Sequence, residues 1–351
     1  MEPVRLAQVG TGDWGANLVR NFAALPGAEL RLLCDTDPER LSRASRVAPA
    51  ARTTARPDDV AADGEVQAVV VAAPAASHYE LAKQFLIAGK DVYVEKPMTL
   101  RADEAEELVQ LADQGRRVLM VGHLLLYHPA VQRLAQLLAD DELGPLRYVY
   151  SQRTNLGKVR RDENALWSFA PHDLAVLLHL IGQEPTDVSA RGEAFLQEGV
   201  EDVVFLDLRF PGGQLGHVHV SWLDPHKVRR FTVVGAKKMA VFDDQEPTEK
   251  LRVYDKGVDA GEFVDYARAL AVRSGDIWIP RLDATEPLKL ECRHFVECVR
   301  ERKTPVTDGR EGLRVIRVLE AATVSLSQGG APVRLEPSPA LAGSAGAGGT
   351  S

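Results

Sequence analysis

Several things are scarce in this chain of 351 residues, and each shortage narrows what the protein can be. There are three cysteines, Cys34, Cys292 and Cys298, odd in number and without CxxC spacing. That pattern excludes a disulfide framework or a cysteine zinc site and points to a reducing, cytoplasmic setting. No apolar run approaches the roughly 20 residues that cross a bilayer, so no membrane partner is expected. The opening "MEPVRLAQVG" has no charged stretch followed by an apolar one, so no signal peptide is expected. Positive charge is also short: 42 Lys and Arg stand against 50 Asp and Glu, a net charge of −8. A polyanion binder is normally basic, so no nucleic-acid partner is expected.

What is present is an alternation. "VRLAQVG" (4–10), "AELRLLCD" (28–35), "QAVVVAAP" (67–74), "DVYVEK" (91–96) and "RRVLMVG" (116–122) read as strands. Between them "WGANLVRNFAAL" (14–25), "SHYELAKQFLIAG" (77–89) and 101–115 read as amphipathic helices. Short, nearly continuous apolar strands separated by helices predict a doubly wound parallel sheet covered on both faces, over residues 1–122. From 123 to 335 the texture changes. A helix is predicted over 129–140, a strand over 145–154, a helix from Pro171 to Gly182, then a strand-rich stretch to about 255 and two helices, 287–302 and 309–327. This predicts a second α+β domain with an open, mostly antiparallel sheet. The tail 336–351, mostly Pro, Gly, Ala and Ser, has little to bury and is expected to be disordered.

Chemistry concentrates first at "VGTGDWG", which sets Gly10, Gly12 and Gly15 between a strand and a helix. Gly10 permits a tight turn, Gly12 lets backbone approach a pyrophosphate, and Gly15 lets helix pack close to strand. Asp13 and Trp14 share that turn, whose helix N-terminus suits phosphate. Asp35 ends the second strand, 20 residues after Gly15, where a carboxylate accepts from an adenosine ribose and repels a 2′-phosphate. The expected cofactor is therefore NAD, with Arg40 leaving some room for a phosphate. Glu95, Lys96 and Pro97 stand where the apolar strand "DVYVE" ends, the edge at which doubly wound sheets bind ligands. By position alone Lys96 is as readily a solvated turn lysine as a site residue.

Taken together, Gly10-Gly12-Gly15, Asp35, "APAASHYELA" (73–82), "EKP" (95–97) and "VGH" (121–123) resemble the glucose–fructose oxidoreductase/inositol dehydrogenase (Gfo/Idh/MocA) family. "NLGKVRRDENALW", "APHD", "SWLDPHKVRRFTVVG" and "ECRHFVECVRERKTPVTDG" are similar to its branch acting on nucleotide-linked amino sugars. The resemblance implies NAD-dependent oxidation of the C3 hydroxyl of UDP-N-acetylglucosamine or its uronate. It makes Lys96 the catalytic-site lysine, with a cis bond expected before Pro97. Ala73, Pro74, His78, Glu95 and His123 then line the cofactor cleft. It also implies an open sheet that joins copies into a homodimer or homotetramer.

"WSFAPHD" supplies the proposed general base, His172, placed at a helix N-terminus if the helix starts near Pro171. There the helix dipole disfavours imidazolium, and a neutral ring can take a hydroxyl proton. A buried capping role is the alternative. Many family members carry an aspartate four residues before this histidine, where this chain has Ser168. Either Ser168 or Asp173 then orients the ring, or another group does. The basic runs "GKVRRDEN" and "DPHKVRR" suit an anionic substrate, with Lys158, Arg160 and Arg161 as candidate grips. Asn164 and Trp167 are candidate sugar contacts. His217 and His219 alternate on a strand and read as sheet-face residues, not metal ligands. Two other readings stay open: an inositol or free-sugar dehydrogenase or deoxysugar ketoreductase, and a non-enzymatic dinucleotide-binding regulator.

Overall fold

The structure is a computed structural model that describes residues 2–157, 159–161, 163–260 and 270–341. It divides into two compact units. The first runs to Tyr127 and takes in Thr285–Arg317 and the segment from Pro337; the second holds His128–Ala284 and Val318–Glu336.

The first unit is built on β1 (Val4–Val9), α1 (Gly15–Ala24), β2 (Ala28–Cys34), α2 (Pro38–Val47), β3 (Arg52–Thr54), α3 (Pro57–Ala62), β4 (Ala68–Val71), α4 (His78–Ile87), β5 (Asp91–Glu95), α5 (Ala102–Gly115) and β6 (Leu119–Gly122). Its six strands are all parallel, in the order β3-β2-β1-β4-β5-β6. β4, β5 and β6 are buried at every position, as strands covered on both faces must be. The order reverses between β1 and β4, so the switch point lies beside the glycine turn that follows β1. α2 starts where Pro38 presets the backbone and Asp37 accepts from Glu39 N (2.8 Å) and Arg40 N (3.2 Å).

The second unit contains α6 (Pro129–Ala139), β7 (Leu146–Thr154), α7 (Ala165–Ile181), β8 (Asp187–Glu193), β9 (Val203–Arg209), β10 (Leu215–Ser221), β11 (Val228–Gly235), β12 (Met239–Asp243), β13 (Leu251–Tyr254), the hairpin of β14 (Gly257–Ala260) and β15 (Leu270–Arg273), and β16 (Ile277–Trp278). Helices α8 (Pro287–Glu301) and α9 (Gly309–Ser327) and β17 (Val333–Arg334) follow. Nine strands form one sheet, β16-β13-β12-β11-β7-β10-β9-β8-β17, antiparallel except for the β10–β7 pair. α7 covers one face. The other presents Tyr148, Tyr150, Phe205 and Leu215, with Tyr148 opposite Leu215 and Tyr150 opposite His217.

Three expectations are corrected. The boundaries at 122 and 335 assumed contiguous domains, whereas α8 and the start of α9 belong with the dinucleotide sheet. The apolar face of α8 (Cys292, Phe295, Val296, Val299) completes that core, where Phe22, Tyr93 and Phe295 meet edge to face. The tail was expected to be disordered from 336. Within its described part, Ser338 donates to Glu106 of α5 (3.0 Å), and Leu341 is buried. Residues 342–351 lie outside the described residues. The helix expected to start near Pro171 starts six residues earlier, at Ala165, because Asn164 caps it.

Candidate active site

The first unit gathers its polar groups at the carboxyl ends of β1, β2 and β5. Gly10 has φ +93°, and a Cβ there would stand 2.3 Å from the Ala72 carbonyl oxygen. Gly15 is held as tightly by the turn itself, its notional Cβ falling 2.3 Å from the Gly10 oxygen. Any side chain at either position would open the turn. Gln8, buried on β1, pins the loop from below by donating to the carbonyls of Gly10 and Gly15, both at 2.8 Å. A Cβ at Gly12 would meet only the tip of Arg40, at 3.5 Å. The turn is thus a cradle with its backbone accessible, beside a cavity of about 350 Å³ lined by Thr11, Gly12, Asp13 and Arg43. The arrangement fits a dinucleotide pyrophosphate at the start of α1.

Asp35 follows β2 as expected and braces the same turn. Its Oδ2 accepts from Thr11 N (2.7 Å) and Thr11 Oγ1 (3.0 Å), and its Oδ1 from Asp37 N (3.0 Å). Arg40, whose tip approaches Gly12, is paired with Asp37 at 3.3 Å.

β5 delivers Glu95 and Lys96, and the Lys96–Pro97 bond is cis. The Trp14 indole N–H donates to Glu95 Oε1 at 2.5 Å, so the glycine turn and the end of β5 are hydrogen-bonded to each other. Tyr93 Oη donates to the same oxygen (3.1 Å), and the Lys96 backbone N–H donates to Oε2 (3.2 Å). Burial pushes the Glu95 pKa up, opposed by the Trp14 indole and the Lys96 charge. His78 lies between two carbonyls, Nδ1 2.7 Å from Pro97 O and Nε2 2.8 Å from Ala73 O, and so ties the "APAA" turn to the lysine turn. Burial pulls its pKa down against those two carbonyls. His123, after β6, is buried, and burial with the nearby Lys96 charge holds it down at about 3. It is therefore a neutral ring at physiological pH. Ala73 and Pro74 form the turn after β4.

In the second unit most of the predicted residues have structural partners. Asn164 accepts from Trp167 N (3.1 Å) as the cap of α7 and donates to Glu201 (2.7 Å). Trp167 Nε1 donates to Thr323 (3.1 Å). Asp173 is buried in an ion pair with Arg153 of β7, whose Nε and Nη2 both donate to it. That pair removes Asp173 as the group orienting His172. Adjacent residues of a helix also point apart, whereas Ser168, buried one turn before His172, shares its face. Because α7 begins at Ala165, His172 is its eighth residue and the helix-dipole argument for a neutral ring does not apply. The basic runs are largely neutralised: Arg160 pairs with Glu163 (2.9 Å), Arg229 with Asp244 (3.4 Å) and Arg230 with Asp243 (2.8 Å). Arg161 and Lys227 are exposed. Lys158 lies outside the described residues. His217 Nδ1 donates to Asp207 (2.8 Å), and His219 stacks on Phe205. Among the described residues no three His, Cys, Asp or Glu side chains are grouped to hold a metal ion, and no helix is long and apolar enough to cross a membrane.

Sequence reasoning missed Gln8, Thr11, Tyr93, Arg153 and Glu291. A polar residue inside an apolar strand was the available signal for Gln8 and Tyr93. Nothing local marks Arg153 as the partner of a residue 20 positions on.

Residues 4–123 match the GFO/IDH/MocA oxidoreductase family model, described as an NAD-binding Rossmann fold, and residues 131–241 match the GFO/IDH/MocA C-terminal domain. The chain is 28% identical over 307 residues to UDP-N-acetylglucosamine 3-dehydrogenase of Acidithiobacillus ferrooxidans, covering 87% of this chain and 93% of that one. A solved structure of that enzyme aligns with TM-score 0.79 at 25% identity, over 94% and 99% of the two chains. A protein from Magnetospirillum magnetotacticum MS-1, assigned only as an oxidoreductase, is 32% identical with TM-score 0.79, over 92% and 100%. The scyllo-inositol 2-dehydrogenase (NAD(+)) of Bacillus subtilis is 24% identical over 346 residues, 95% of this chain and 96% of that one.

Proposed function

The chain belongs to the Gfo/Idh/MocA oxidoreductases, with an NAD-binding Rossmann domain as its first unit, and on that premise we propose that it oxidises the C3 hydroxyl of a nucleotide-linked amino sugar, UDP-N-acetylglucosamine or its uronate. The observation carrying the enzymatic part is the lysine at the end of β5, joined to the glycine turn through Glu95 and Trp14. The A. ferrooxidans relative supports the sugar. The basic runs support it less than their composition suggested, since most of their arginines already have carboxylate partners.

Bound NAD supplies the hydride acceptor. Gly10, Gly12, Asp13, Trp14, Gly15 and Asp35 hold it, and Glu95 fixes the start of the lysine turn. Lys96 is assigned to the reacting hydroxyl and the nicotinamide ribose, as a point-charge donor that favours the negative charge developing on that hydroxyl. His172 is assigned to taking the hydroxyl proton. We place the protein in the cytoplasm, where Cys34, Cys292 and Cys298, all free and buried, would stay reduced. We also propose that copies pair through the sheet face bearing Tyr148, Tyr150, Phe205 and Leu215; light scattering of Tyr150→Glu beside wild type tests this, and an unchanged mass refutes it.

NADH formation with UDP-sugars, inositol and glucose tests the main reading, with a single-turnover spectrum to detect a cofactor that does not leave. Signal with a UDP-amino sugar supports it. Signal with inositol alone replaces it with the second reading, which the B. subtilis relative favours. Tight NAD binding without turnover of any sugar favours a regulator.

A further inference from the structure

In the second unit, three connecting segments meet at the end of the sheet where α7 begins: the described part of 155–164 after β7, 194–202 between β8 and β9, and 222–227 after β10. Backbone hydrogen bonds lace them together. Asn155 N donates to Ser221 O (3.0 Å), Leu156 N to Asp224 O (2.5 Å), Trp222 N to Asp202 O (3.2 Å) and Ala165 N to Glu201 O (2.9 Å). Gln197 Nε2 donates to Arg160 O (2.8 Å), which ties the tip of the middle segment to the first. Asp202 is 0% exposed, and its carboxylate holds that tip. Its Oδ2 accepts from Phe195 N (2.7 Å) and Leu196 N (2.8 Å), and its Oδ1 accepts from the buried Trp222 indole. A buried carboxylate is destabilising unless such donors surround it. Here it fixes the backbone of two apolar residues that stand in water: Phe195 is 67% exposed and Leu196 56%.

The same rim keeps two cations in reserve. Arg161 and Lys227 are exposed, and among the described residues neither has a carboxylate partner, unlike Arg160, Arg229 and Arg230. We propose that Phe195 is the platform on which the base of a nucleotide-linked substrate stacks, with Arg161 and Lys227 meeting its diphosphate. This rests on the proposed function and names the part of the second unit that would select for a nucleotide. A base is flat, with apolar faces, and stacks best on an aromatic ring whose backbone is fixed in advance. The phosphates next to it need cations that are not already neutralised. The exposed acid of the Phe195 segment, Glu198, favours an uncharged base over a phosphate at that tip. Inositol and glucose have neither base nor phosphate and would leave both features unused. The rim also lies toward the assigned base: α7 starts there, and His172 stands seven residues on, about 10 Å along the helix. A ribose and a diphosphate separate base from sugar in a nucleotide-sugar, so one ligand can reach both.

Calorimetry on the NAD-loaded full-length protein tests the platform without turnover. UDP should bind wild type, Phe195→Ala should weaken it about five- to hundredfold, and Phe195→Trp should restore most of the affinity. N-acetylglucosamine 1-phosphate has no base, so Phe195→Ala should change its affinity less than about twofold. Arg161→Ala combined with Lys227→Ala should weaken UDP about tenfold or more. Because Phe195 is exposed, its variants should keep the wild-type unfolding midpoint. The proposal is overturned if UDP does not bind wild type, if wild type and Phe195→Ala bind it equally, or if Phe195→Ala weakens UDP and N-acetylglucosamine 1-phosphate alike. Light scattering covers the other use of an exposed ring. A smaller mass for Phe195→Ala with unchanged UDP affinity makes Phe195 a contact between copies and overturns the platform. The two readings fail separately. UDP binding that depends on Phe195, without turnover of any UDP-sugar, keeps the platform and removes the proposed reaction. Turnover of a UDP-amino sugar with the same KM in wild type and Phe195→Ala keeps the reaction and overturns the platform.

Discussion

The end of β5 in the first unit and the helix α7 in the second were both read as sites, and they are built in opposite ways. Around Lys96 the polar groups turn toward one another: Trp14 and Tyr93 converge on Glu95, and His78 bridges the neighbouring turns. Along α7 they turn away to structural partners: Asn164 to the helix cap and Glu201, Trp167 to Thr323, Asp173 to Arg153. A convergent cluster is the mark of a site, whereas dispersed pairs mark a framework. The difference teaches that His172 is supported mainly by family position and Lys96 by its surroundings as well.

The sharpest way to break that contrast is at Lys96. Lys96→Ala should lower sugar turnover by about a thousandfold while NAD affinity, measured by calorimetry, changes only a few-fold. Equal losses in both would make the lysine a binding residue. On the other side, Asp173→Ala should act on stability. It strands Arg153, whose side chain is 11% exposed, without its carboxylate, at a cost of about 3–5 kcal/mol. Urea unfolding followed by circular dichroism measures this, and a change under 1 kcal/mol would mean that the pair behaves like a surface one.

The acid response separates the regions next. Burial holds His123 at about 3, below the roughly 6.5 of an unfolded histidine. Between those values the unfolded chain binds a proton that the folded chain refuses, so stability falls as pH drops from about 6.5 to about 3. Its slope there approaches 1.4 kcal/mol per pH unit. His123→Asn should flatten that part of the curve, and an unchanged slope places the acid sensitivity elsewhere. The smallest effect is Asn164→Ala, which removes the cap of α7 and should cost about 1 kcal/mol. If instead kcat falls with stability intact, Asn164 serves substrate after all.

The dinucleotide unit was legible from its sequence because its signals are local. The turn at Gly10 needs a positive φ and a close approach to Ala72, which only glycine allows, and the neighbouring strands are apolar throughout because both faces are buried. α7 was misread at its start because proline at a first turn is the common signal, and Asn164, the actual cap, was assigned to the sugar. Pro171 sits inside the helix, which local propensity disfavours and tertiary packing evidently outweighs. The basic runs misled for a related reason: composition counts cations but does not show that Arg160 pairs with Glu163, or Arg230 and Arg229 with Asp243 and Asp244 at the end of β12.

By itself, then, the sequence determined the alternation of the main strands and helices, though not α2, β3 and α3, together with the glycine turn with its acid at Asp35 and the lysine at a strand end. These depend on backbone conformation and on periodic burial, which neighbouring residues dictate. Only the tertiary structure decided that α8 closes the first unit's core, that Asp173 belongs to Arg153, and that Glu291 of α8 is fully buried. Ion pairs and buried acids depend on which groups meet across 20 or 200 residues of chain, on the order of the distances separating these partners, and no local pattern encodes that meeting.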